Sequence, residues 1–76
     1  MNNQRRKCIR KICDSIEDIK EQVESVFEEE NESFDNIPEN LEGSERYETA
    51  QAAVDNLESA LSSIEEVIEY LEEAMN

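Results

Sequence analysis

The stretch Phe34–Glu48, FDNIPENLEGSERYE, decides the fold, because it holds the only proline and the only glycine of a 76-residue chain written otherwise in helix-forming residues. Proline fixes its own φ, has no N–H to donate and drives the preceding residue out of the helical region, so Pro38 and Ile37 stop any continuous helix near Asn36. Asp35 or Asn36 is placed to cap a short turn from Pro38 to Leu41, Gly43 supplies a permissive backbone, and Ser44 suits the N-cap of a second helix. A loop of about a dozen residues exceeds what an antiparallel connection needs. Phe34, Ile37 and Leu41 are expected to plug the open end of the helical bundle.

On the N-terminal side of the loop, apolar residues fall at Ile9, Ile12, Ile16, Ile19, Val23 and Val26, in alternating steps of three and four that mark one face of a helix. That helix is predicted over about residues 3–31, roughly 43 Å long. On the C-terminal side Tyr47, Ala50, Val54, Leu57, Leu61, Ile64, Ile68, Leu71 and Met75 keep an unbroken heptad. A second helix is predicted over about 44–75. Each stripe is broader than a two-stranded seam requires: Ala53, Ala60, Val67 and Ala74 form an added line in the second helix, and Cys13 and Phe27 one in the first, with Lys20 intruding.

Residues 1–76 thus form a single all-α domain, an antiparallel helical hairpin with a proline-containing loop. A chain this short rarely buries enough apolar surface alone to offset its conformational entropy. One hairpin covers only the sides its two helices turn to each other. The expected remedy is homo-oligomerisation, as a dimer or higher: two antiparallel hairpins in a four-helix bundle are the most economical assembly, and a trimer or a larger ring satisfies the same pattern. Its core is expected to hold Ile12, Ile16, Ile19, Val23, Val54, Leu57, Leu61, Ile64, Ile68 and Leu71.

Other staples and chemistries fare poorly. Cys8 and Cys13 sit roughly 140° apart around a helix, which no disulfide spans, and histidine is absent. No zinc site, other metal site or cofactor is expected. Two free cysteines and the lack of a signal-peptide or membrane-length apolar run point to a cytoplasmic protein with no membrane partner. A calcium loop read from Asn31 has Asn36 where the turn demands glycine, and Pro38 two positions later. Carboxylates scattered along helix surfaces, with no nucleophile or base beside them, give no catalytic residues, so no enzymatic activity is expected.

The charge is extreme and unevenly placed. Twenty-one acidic residues against seven basic leave a formal charge of −14, which argues against direct nucleic-acid binding. Residues 1–13 nevertheless carry five basic side chains (Arg5, Arg6, Lys7, Arg10, Lys11) and no acidic one. In a hairpin these lie beside Glu65, Glu66, Glu69, Glu72 and Glu73, and opposite charges that select the antiparallel pairing are one explanation of the basic tip. The other needs a neighbouring hairpin packed head to tail, which brings Arg5, Arg6 and Arg10 of one copy to Ser44, Arg46 and Tyr47 of the next. Arginine forks, the amides of a helix start and an aromatic face then suit a phosphate-bearing small molecule.

The run EEENESFDNIPENLEGSERYE, with the VDNLESALSSIEEVIEYLEEA heptads behind it, resembles a group of short acidic helical proteins encoded by phages and prophages of Gram-positive bacteria, most specifically from Glu30 to Arg46. In that group an acidic helix leads through DN, an aliphatic residue, PE, a leucine and SER into a second helix. The resemblance carries no activity with it. The oligomeric hairpin also looks like phage proteins that sequester nucleotide immune signals. A phage accessory binding protein acting on a host process is the function this implies, by holding a phosphate-bearing signal or by occupying a host protein in the host cytosol. An acidic DNA mimic, using Glu21, Glu24, Glu28, Glu29, Glu32, Asp55, Glu58 and Glu65, and a structural or regulatory hairpin without a small ligand are the alternatives.

Overall fold

A computed structural model of the chain describes Met1–Asn76. It consists of helix α1, Asn3–Asp35, a single 3-10 turn at Glu39–Leu41, and helix α2, Glu45–Met75, with α2 folded back along α1 and no strands. Asn2 caps α1, its Oδ1 accepting from the Arg5 N–H at 2.8 Å. The helix runs to Asp35, a turn past the expected end at residue 31, because the proline constraint reaches back only to Ile37 and leaves the turn before it free to stay helical. The N–H of Asn36 still closes onto the carbonyl of Glu32.

The corner departs from expectation in one respect. Neither Asp35 nor Asn36 caps the short turn; Pro38 occupies the cap position with no side-chain bond, and its carbonyl accepts from the Leu41 N–H at 2.9 Å. Gly43, at φ +83°, takes the left-handed conformation that side chains resist. Ser44 caps α2 as expected, its Oγ accepting from the Tyr47 N–H at 3.2 Å. Glu45 and Glu48 in the first turn suit the positive end of that helix.

The α2 heptad is the spine of the interface: Val54 and Ile68 are the only buried residues of the chain, at 8% and 7% exposure, and Leu57, Leu61, Ile64 and Leu71 are half-buried along the same seam. In α1 only part of the apolar stripe turns inward. Ile9, Ile16 and Val23 face α2, but their companions are Cys13, Lys20, Phe27 and Phe34, all half-buried, while Ile12, Ile19 and Val26 stand 47%, 51% and 52% exposed. The rotation is tied down at both ends. Phe34 meets Tyr47 with ring centroids 4.9 Å apart, and Arg6 Nε donates to the Met75 carbonyl at 3.0 Å.

Lys20 shows how a cation occupies a seam position. Its stem lies between the helices and its ammonium emerges on one side, 3.4 Å from Glu65 and 4.0 Å from Glu24. These are the two ion pairs of the structure. The clustered N-terminal cations do not pair with the acidic end of α2 as expected. Arg6 instead caps an orphan carbonyl at the negative end of that helix, which complements its dipole.

The resulting hairpin is a slender rod, 59 × 15 × 13 Å, with a radius of gyration of 17.3 Å against about 11 Å for a compact chain of this length. Its accessible surface is 5841 Å², whereas a compact monomer of this mass exposes about 4,800 Å². Leu61→Asp sets a charge into the seam and is expected to cost about 3 kcal/mol, read as a lower urea midpoint by circular dichroism. An unchanged midpoint would place Leu61 outside the packed strip.

Candidate functional site

Helical phase sorts the surface into two unlike sides. Flanking the α1 seam are the heptad line of Glu17 and Glu24 on one side and that of Ile12, Ile19, Val26 and Ser33 on the other; flanking the α2 seam are the lines of Glu58, Glu65 and Glu72 and of Ala53, Ala60, Val67 and Ala74. Lys20 bridges Glu24 and Glu65, so those two lines share a side. Ser33 and Ala53 line one groove, so their lines share the opposite side. One long side of the rod is therefore acidic, and the other is apolar and uncharged over most of its length.

The groove lies at the loop end of the uncharged side. It is an open hollow of about 590 Å³ between the last turns of α1 and the start of α2, lined by Glu30, Ser33, Ile37, Glu45, Arg46, Thr49, Ala50 and Ala53. Of its three charged side chains two are carboxylates, so the field inside it favours a cation over an anion. A second hollow, lined by Glu66, Glu69, Tyr70, Glu72, Glu73 and Asn76, is more acidic still.

The residues expected to form a phosphate site occupy both ends of the rod. Arg5, Arg6 and Arg10 sit in the first turns of α1, while Ser44, Arg46 and Tyr47 open α2, about 45 Å away along the axis. Within one chain several already have structural work: Arg6 holds the Met75 carbonyl, Ser44 caps α2, and Tyr47 packs on Phe34. Arg5, Arg10 and Arg46 are exposed and make no ion pair. The two halves meet only if a second molecule lies alongside in the opposite direction.

Neither the two-sidedness nor the groove is among the features expected from the sequence. The signal was present: Glu58, Glu65 and Glu72 flank the α2 seam at seven-residue steps, as do Ala53, Ala60, Val67 and Ala74 on the opposite line. What could not be read was the rotation of α1, which decides where the flanks of the two helices meet. No helix of the chain is long and apolar enough to cross a membrane. No protein-family model, curated protein or solved structure matches the chain.

Tyr47→Ala removes the aromatic partner of Phe34, and a loss of about 2 kcal/mol in urea denaturation is expected. A variant as stable as the parent would free Tyr47 from this packing role and leave its ring available to a ligand.

Proposed function

We propose that this chain is a non-enzymatic binding module that assembles with copies of itself into a helical bundle and presents its acidic side to a basic surface of another protein. The observation that carries the proposal is the segregation of charge: carboxylates of both helices line one side of the rod, from Glu17 and Glu24 on α1 to Glu58, Glu65 and Glu72 on α2, and Lys20 is the cation tied into that side by ion pairs. Such a surface raises association rates with cationic partners and repels nucleic acid. With the loop segment's likeness to short acidic proteins of phages and prophages, the partner is a protein of the host cytosol that the bundle occupies. If that partner is one that grips DNA, the acidic side acts as a mimic of the phosphate array.

Self-assembly belongs to the same proposal and is supported by the excess of exposed surface and by Ile12, Ile19 and Val26 standing outside the seam. A phosphate-bearing signal is the second candidate ligand. It draws on the free arginines at the two ends, and it is disfavoured by the carboxylates of Glu30 and Glu45 beside Arg46.

Affinity capture from host extract with two charge-matched double variants tests the proposal. Glu58→Lys with Glu65→Lys, on the acidic side, is expected to lose at least about tenfold in capture of a salt-sensitive partner, whereas Glu66→Lys with Glu73→Lys, on the back of α2, retains it. Equal loss in both pairs would reduce the effect to net charge and overturn the role of that side. Displacement of the captured partner by duplex DNA identifies a DNA mimic. A cyclic nucleotide that raises the melting temperature of the parent but not of Arg46→Glu would move the assignment to the phosphate-bearing signal.

A further inference from the structure

The side opposite the carboxylates has no partner within the chain. Ile12, Ile19 and Val26 project from α1, and Ala60, Val67 and Ala74 from α2, all exposed. Behind them on each helix runs one more heptad line, that of Cys8 on α1 and of Asn56 on α2. From residue 8 to 26 and from 49 to 74 none of these four lines contains a charged side chain, although 37% of the chain is charged. A face the length of this rod, 59 by 15 Å, amounts to roughly 900 Å², comparable to the about 800 Å² that each partner contributes to a standard stable interface.

Resting on the self-assembly proposed above, we infer that a second copy of the chain seats on this side head to tail, α1 against α1 and α2 against α2, about a two-fold axis near Ile19. The pairing of Arg6 with Met75 and of Phe34 with Tyr47 sets the levels of the two helices, and puts Ile19 midway along the rod. With the axis there, Ile12 of one copy comes opposite Val26 of the other, and the alanine lines of the two α2 helices approach closely.

Charge selects this direction over the alternative with both loops at one end. Residues 21–58, the loop half, hold thirteen carboxylates and one arginine, whereas six of the seven basic side chains lie in residues 1–20. Loops at one end would set the two most acidic regions side by side. Head to tail, each loop half instead meets the basic tip of its neighbour. Arg5 shares the heptad line of Ile12, so it arrives over the groove of the facing copy, where Glu30 and Glu45 supply carboxylates for its fork. The groove is on this account the socket for the N-terminal turn of a second molecule.

The test joins a mass measurement to a cross-link, in a Cys8→Ser, Cys13→Ser background. Sedimentation velocity of the parent is expected to give a dimer, and Ile19→Arg to weaken it by ~tenfold or more with helicity retained. Ile19→Cys treated with a short bis-maleimide, spanning the about 8–10 Å between packed helices, is expected to cross-link to itself, and Ile19→Cys mixed with Ala60→Cys to give no preferred heterodimer. Preferred cross-linking of Ile19→Cys to Ala60→Cys would put α1 on α2 of the neighbour and overturn the head-to-tail packing while leaving self-assembly intact. A monomeric parent would overturn both, and acidic-side capture by that monomer would then decide the binding role separately.

Discussion

Two helices joined once can hide only the strip along which they touch, and everything else about this protein follows from how little that strip covers. Backbone hydrogen bonding is close to complete, with 64 bonds of which 56 lie inside regular elements. Side-chain burial is not: Val54 and Ile68 alone are buried, and even they keep 8% and 7% of their exposure. Intrahelical bonds offset only part of the entropy lost in ordering so long a chain, and helices of this length draw most of their stability from packing an apolar face. The spare apolar lines of α1 and α2 are the remaining source of burial.

The same constraint explains the arrangement of charge. On the proposed assembly one side of the rod is covered and the other stays wet, and the carboxylates gather on the side of Glu24, Glu58 and Glu65. Lys20 makes that side compatible with the seam by filling a core position with its stem and delivering its ammonium to two of those carboxylates. The basic start of α1, unfavourable for its own dipole, complements the end of α2 through Arg6. On the proposed packing the rest of that basic tip meets the acidic loop half of the second copy.

Much of the fold was legible in the residues. Pro38, Gly43 and Ser44 announced the corner, and the α2 heptad from Tyr47 to Met75 announced both the second helix and its inward face, because each feature acts through local backbone chemistry or a regular period. The inward face of α1 was not legible. Judged by hydrophobicity, the line of Ile12, Ile19 and Val26 should outrank that of Cys13, Lys20 and Phe27, yet the second line faces α2. Its selection depends on Phe34 meeting Tyr47 and on Lys20 reaching Glu65, contacts between residues 13 and 45 positions apart that no local pattern displays. The two-sided surface was hidden for the same reason, since it exists only once that rotation is set.

Thermal unfolding followed by circular dichroism over a wide dilution series tests most directly whether the uncovered strip makes folding depend on association. Mass action requires the midpoint to climb with protein concentration and the helical signal to fade on dilution. A midpoint indifferent to concentration, with full helicity in a dilute chain of monomer mass, would show that the lone hairpin is sufficient and would contradict the account.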